Sequence, residues 1–168
     1  ALRDVGQNHL LEMLAITLMA KPERFRGEEA RKKRAEILQT LRISTPNEIK
    51  HFTFRAQYHG YRKIKGVAPS SKIETYFKIR AFLNSREWQN VPVLLEAGKR
   101  LAEVRKEVVI HLKDNRTLTF PMEPRIKRYQ YIDEYKTLLS SAMRGAQTLF
   151  LSRAEVEAMW RFVDPILK

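Results

Sequence analysis

Between Leu10 and Ala20 only Glu12 and Thr17 are polar. A run of that length is too long for one strand and reads as a helix buried on most of its surface, so the rest of the chain must build a core around it. It is also too short to cross a bilayer. The polar residues just before it, Arg3 to His9, read as exposed first turns of the same helix. Asp4, with Gln7 three positions on, has the spacing of a helix cap and its reciprocal partner. Lys21-Pro22 sets the end near Ala20.

The following segments supply what that helix needs. A second helix is predicted over Glu28–Leu41, with Ala30, Ile37, Leu38 and Leu41 on one face. Glu28–Lys32 and Glu29–Lys33 are spaced as i,i+4 pairs. The basic run Arg31 to Arg34 reads as a solvated helix face. Ser44-Thr45-Pro46-Asn47 is a turn signal. After it the period falls to two: Phe52, Phe54, Ala56 and Tyr58 alternate with polar neighbours, as in a half-buried strand. Tyr58, His59 and Tyr61 read as sheet packing, with base stacking as the other use of such rings. Val67 to Ser71 is a loop.

Ile73 to Leu83 alternates again. Ile73, Thr75, Phe77, Ile79, Ala81 and Leu83 share one face, and Glu74, Tyr76, Lys78, Arg80, Phe82 and Asn84 share the other. Lys106 to Lys113 is a further strand with Val108, Ile110 and Leu112 together. Asp114-Asn115-Arg116 is its turn, Leu118 to Phe120 starts a return strand, and Pro121 and Pro124 stop regular structure. A third helix is predicted over Tyr129–Met143, with Ile132, Tyr135, Leu138, Leu139 and Ala142 on one side and Gly145 as its C-cap. Ser152 and Glu155 form a capping box for a last helix carrying Val156, Met159, Trp160 and Val163. The expected fold is α+β: one domain, residues 1–168, with an antiparallel sheet packed against N-terminal and C-terminal helices.

Composition narrows the chemistry. Cysteine is absent, which removes disulfides, thiolate metal sites and cysteine nucleophiles, as suits a cytoplasmic protein. The four histidines are scattered without ligand spacing, so no metal is expected. The formal charge is +13, from 32 basic and 19 acidic residues, which favours anionic partners without choosing among them. The chain opens on Ala1 with no signal-peptide pattern, and reads as a cut inside a longer protein.

His9 and Asp4 are the residues with most chemical promise. An imidazole suits a general base because its ordinary pKa, about 6.5, lies near neutrality. Taken alone, however, a His near a helix start is more often structural, and an Asp there is more often a cap. Gly98-Lys99, after the apolar stretch Val91 to Leu95, reads by spacing as a turn with a solvated ammonium. It also suits an anion contact, since glycine lets backbone approach a ligand and an ammonium is a good point charge.

Whole words carry more than single residues. RDVGQNHLLEML resembles the RDVxQNHLLQ segment of the glucose-6-phosphate dehydrogenases. SKIETYFKIRAF resembles their SxTETFxAxK strand, and Arg86 to Pro92 is similar to their RWxGVP turn. Val91 to Leu101 resembles VPFxLRxGKxL, and EYKTLLSSAMRGAQTLFLSRAEVEAMWRFVDPIL resembles the family's closing helices. The matching segments, residues 3–14, 71–83, 86–101 and 134–167, stand in family order. The resemblance implies roles: His9 as the general base that takes the proton of the sugar 1-hydroxyl, Asp4 as a substrate contact, and Lys99 as a contact to the sugar phosphate. It implies glucose 6-phosphate as substrate, NADP or NAD as hydride acceptor, and a homo-oligomer formed through the sheet. No membrane or nucleic-acid partner is implied.

The departures are equally specific. No glycine-rich GxGxxG or GxxGxLA segment follows a strand, so the dinucleotide cradle belongs to an N-terminal domain absent from this chain. The family's DHYLGKE word, whose Asp orients the catalytic His, is absent too. The chain alone is therefore expected to be inactive. Glu96 stands where the family has Arg, reversing the local charge. Val104 stands where a further basic contact is expected, leaving Arg105 or Lys106 as substitutes. Only the linker Pro121 to Arg128 stands where the family has several more strands: either the sheet is shorter here or a stretch of chain is missing. Two rival readings remain: a basic nucleic-acid-binding module, resting on the charge, the Arg31–Arg34 run and the aromatics, and a dimerisation or regulatory domain that kept the scaffold and lost the chemistry.

Overall fold

The computed structural model describes residues 1–24, 27–42, 45–122 and 134–168. The first helix starts earlier than its cap signal predicts. It runs from Leu2, with Ala1 at the N-cap and no side-chain cap bond, so Asp4 and Gln7 do not form the expected box. Residues Leu2–Leu10 are wound as a π-helix, and α1, Leu11–Leu18, continues as α-helix. Met19 turns to extended backbone before Lys21-Pro22, two residues short of the predicted end.

Helix α2, Gly27–Gln39, buries Ala30, Ile37 and Leu38, as its spacing predicts, and Leu41 follows them into the core. Arg34 overturns the solvated-face reading of the basic run, being only 2% exposed. Its Nε donates to Glu155 Oε1 at 2.6 Å, and its terminal nitrogens donate to the carbonyls of Thr148 and Phe150. Arg31 also turns inward, bonding Gln147 and the carbonyl of Leu151. The predicted surface pairs of this helix are replaced: Lys33 pairs with Glu36, and Glu29 accepts the backbone N–H groups of Glu23 and Arg24.

The turn signal at Thr45-Pro46 proves to be a helix start. Thr45 and Glu48 form a capping box, with Pro46 at the first helical position, and α3 spans Pro46–Phe52. His51 and Phe52 are thus helical, and β1 covers only Thr53–Ala56, with Phe54 60% exposed. β2, Tyr76–Ala81, and β3, Val93–Gly98, complete an antiparallel sheet of order β1-β2-β3. The predicted alternation holds where it matters: Phe77, Ile79, Ala81 and Leu95 point into the core, while Lys78, Arg80 and Glu96 face out.

β4, Glu107–His111, and β5, Thr117–Pro121, form a separate antiparallel hairpin. Its turn is the predicted one, with Asn115 at φ 65°. Helix α4 is described over Glu134–Met143; its predicted beginning at Tyr129, and Ile132, lie outside the described residues. Its expected apolar face is open rather than buried: Tyr135 is 74% and Leu139 64% exposed. Gly145 ends it as predicted, at φ 67°, with N–H bonds from Gly145 to Ala142 and from Ala146 to Ser141. Helix α5, Arg153–Leu167, starts from the predicted Ser152/Glu155 box and buries Ala158, Met159, Phe162, Val163 and Ile166. One core results, where α1, α2 and α5 meet the inner face of β2 and β3. Among the described residues no helix is long and apolar enough to cross a membrane.

Candidate functional site

The π winding decides how the polar opening segment is presented. In an α-helix, residues five apart differ by about 140° around the axis. With i→i+5 bonding, residue i+5 stands about one turn above residue i. The bonds Gly6 N–H to Ala1 O and Leu11 N–H to Gly6 O have that spacing. Asp4 and His9 are therefore stacked along one side of the helix, and both are exposed. Leu2, Gly6 and Gln7 are turned inward.

Gly6 explains how close the helix comes to the sheet. A Cβ there would stand 2.7 Å from Leu2 Cδ1 and 2.9 Å from Phe77 Cζ. The opening segment thus lies on the inner face of the sheet, against β3 and against α5, where Gln7 reaches Met159 Sδ. Its start is held by Glu74, whose carboxylate accepts the N–H of Leu2 at 2.7 Å. Burial raises the Glu74 pKa, but the N–H groups of Leu2 and of Glu74 itself, with the nearby terminal ammonium, outweigh it and the net shift is downward. Alternation along the strand predicted Glu74 on the outer face. The strand instead begins at Tyr76: Ile73, predicted on the core face, is 62% exposed, and Glu74 is turned to the helix start.

Thr75 fixes Lys99. The Lys99 N–H donates to Thr75 O at 2.8 Å, one rung beyond the last pair of the β2–β3 ladder, Tyr76 with Gly98. Side chains alternate across a sheet, so Lys99 falls in the row of Leu95 and Ala97, the face on which the His9 helix lies. The ammonium is exposed. Gly98 has a different use from close ligand approach: a Cβ there would be 2.6 Å from Tyr76 Cδ2. Glu96 lies on the opposite face. It accepts the Tyr76 hydroxyl at 2.8 Å and stands 3.5 Å from Lys78 Nζ. Its reversed charge is thus matched away from Lys99; burial and this carboxylate together raise the Tyr76 pKa. Of the two substitutes for the missing basic contact, Arg105 lies between Glu103 and Glu107, and Lys106 leads into the hairpin.

No hydrogen bond or ion pair joins Asp4, His9 and Lys99 to each other among the described residues. What relates them is the packing of one helix on one sheet face, with Glu74 and Thr75 as successive anchors. Sequence reasoning missed Gly6, Glu74 and Thr75; the Gly inside a helical word was the available signal. Glu12, one α-turn past His9, faces inward in part. Burial raises its pKa most; Glu155 adds to this, while Arg34 and His9 oppose it. Among the described residues no group of three or more His, Asp or Glu side chains could hold a metal. Among the described residues a dinucleotide cradle does not fit either: the strands pair antiparallel, with no parallel strand–turn–helix unit to seat a pyrophosphate.

These features define an α+β domain whose opening helix exposes a carboxylate and an imidazole and whose third strand ends beside an exposed ammonium. Its likeness to known proteins is specific. The family model for the glucose-6-phosphate dehydrogenase C-terminal domain matches residues 1–131 and 115–168, and the chain belongs to that family. The two pieces of the match overlap over residues 115–131. The glucose-6-phosphate 1-dehydrogenase of Buchnera aphidicola subsp. Schizaphis graminum is 32% identical over 98% of this chain and 45% of its own length. That of Helicobacter pylori is 30% identical over 100% of this chain and 43% of its own. The crystal structure of the Mycobacterium avium glucose-6-phosphate 1-dehydrogenase has a TM-score of 0.72 at 25% identity, covering 99% of this chain and 44% of that one. The chain thus spans a little under half the length of these relatives.

Proposed function

We propose that this chain is the substrate-side C-terminal domain of a glucose-6-phosphate dehydrogenase, oxidising glucose 6-phosphate to 6-phosphogluconolactone in the cytoplasm. The observation that carries the reading is the stacking of Asp4 and His9 on the exposed side of a helix, over the sheet face whose edge ends in Lys99. His9, through a neutral ring nitrogen, takes the proton of the sugar 1-hydroxyl as hydride leaves C1. Asp4 binds a sugar hydroxyl and Lys99 the phosphate. The hydride acceptor, NADP or NAD, belongs to an N-terminal dinucleotide-binding domain outside this chain, as do the remaining phosphate contacts and the carboxylate that orients His9. The chain by itself is inactive, and the protein assembles as a homo-oligomer through the sheet.

The test is His9→Asn in the whole protein. Loss of a general base lowers kcat by about 10²–10⁴-fold, with the KM for glucose 6-phosphate little changed. A raised KM with unchanged kcat would make His9 a binding residue only. Cofactor reduction by residues 1–168 alone would overturn the division of labour.

A further inference from the structure

The segment from Gln57 to Ile73 contains no acidic residue, yet it carries Arg62, Lys63, Lys65 and Lys72. Beyond β1 the chain leaves the sheet and turns at Gly60, φ 82°, into a short 3-10 turn over Tyr61–Lys63. Tyr58 and Tyr61 are therefore not sheet-packing residues. They meet edge to face, with ring centroids 5.5 Å apart.

One arginine in this turn is held in place. Gln57 uses its amide N–H groups on the carbonyls of Ser71 and Ile73, at 2.9 and 2.8 Å. Its remaining oxygen accepts the Nε–H of Arg62 at 2.9 Å. The guanidinium is thereby oriented through Nε alone, and its two terminal nitrogens have no partner among the described residues. A fork fixed in this way matches two oxygens of a phosphate or carboxylate, with less ordering left to do on binding. The Lys63 ammonium, the next residue, is also unpaired among the described residues. Arg100 adds a third cation beside the turn: its Cζ lies 4.7 Å over the Tyr58 ring. Its backbone is in the left-handed region, φ 58°, which a side chain other than glycine seldom adopts.

Gln57, Tyr58, Gly60, Tyr61, Arg62 and Lys63 line an open cavity of about 220 Å³. That is smaller than the roughly 300–1,000 Å³ of pockets that enclose whole small molecules, and it suits a head group. Three cations around it favour a dianion over a carboxylate. We propose that this turn is a phosphate-binding site, which seats the phosphoryl group of a small phosphorylated ligand on Arg62. It is separate from Lys99 and goes beyond the function proposed above. Lys99 continues the strand's alternation, whereas the left-handed backbone at Arg100 breaks it. Thr75 nevertheless anchors both places, accepting the Lys99 N–H on its carbonyl and the Tyr58 N–H on Oγ1.

The test is calorimetric titration of the whole protein with inorganic phosphate at constant ionic strength. The Lys99→Ala variant serves as background, so that the sugar-phosphate contact is removed. One phosphate per chain should still bind there. Adding Arg62→Ala should weaken it about tenfold or more, the loss of a charge-assisted fork. Gln57→Ala should weaken it less, and Arg62→Lys should not restore it fully. Thermal unfolding checks that each variant is folded; Arg62 is exposed, so its replacements leave the core untouched. No phosphate bound in the Lys99→Ala protein overturns the proposal, as does an affinity indifferent to Arg62. Equal competition by chloride does so too, since the turn is then only a diffuse cationic surface. Tighter, Arg62-dependent binding of a short oligonucleotide, falling steeply with salt, would replace the small ligand with nucleic acid. The family reading stands or falls separately, on the turnover of His9→Asn.

Discussion

Removing Arg34 should be the most damaging single change to this domain that touches no proposed site residue. Arg34 and Glu155 have side chains 3% and 0% exposed, and Nε stands 2.6 Å from Oε1. Arg34→Ala would leave the carboxylate buried without its cation and take donors from two carbonyls, those of Thr148 and Phe150. Breaking a buried pair by deleting one partner costs about 3–5 kcal/mol. That is a large part of the roughly 5–15 kcal/mol that holds a domain together. The assay is urea unfolding followed by circular dichroism, with the midpoint read at unchanged slope.

The double replacement Arg34→Met with Glu155→Leu decides between mechanisms. Exchanging a whole buried pair for apolar side chains is often close to neutral. Glu155 also accepts the Ser152 N–H at 2.6 Å as part of the α5 cap, so about 1 kcal/mol should remain lost. The double variant should therefore be clearly more stable than Arg34→Ala. A loss below about 1 kcal/mol for Arg34→Ala, as for an exposed pair, would refute the buried-pair reasoning. So would a double variant no better than the single one.

Other expectations are equally direct. Gly6→Ala forces a methyl against Leu2 and Phe77, and overpacking of that kind should cost about 1–3 kcal/mol, read by the same unfolding assay. Glu12 has a raised pKa, so its charge opposes folding above that pKa and the penalty is relieved as pH falls through it. Glu12→Gln should accordingly raise the melting temperature at neutral pH, and the gain should fade below about pH 4, where the unfolded carboxyl is also protonated. Lys99→Ala in the whole protein should weaken glucose 6-phosphate binding by about 1.5–3 kcal/mol, seen as a higher KM; an unchanged KM would remove Lys99 from the site.

The apolar run after Leu10, the alternation at Phe77, Ile79 and Ala81, the Ser152 cap and the Gly145 stop were all legible in the sequence. Each depends on residues within about one turn or a few rungs, so spacing alone reveals them. The Thr45–Glu48 box was legible by the same rule, though the alternating aromatics after it masked the helix. Asp4, His9 and Lys99 were singled out by the words around them. How they are presented was decided elsewhere. Arg34 is buried because its partner lies 121 positions away on another helix, a distance at which no periodicity speaks. The opening turns lie close on the sheet because Gly6 leaves room for Phe77. Lys99 shares a face with the His9 helix because the ladder runs one rung further to Thr75. Local preference sets which residues can be helical or extended; only the closing of one element on another fixes the winding, the face and the charge partner.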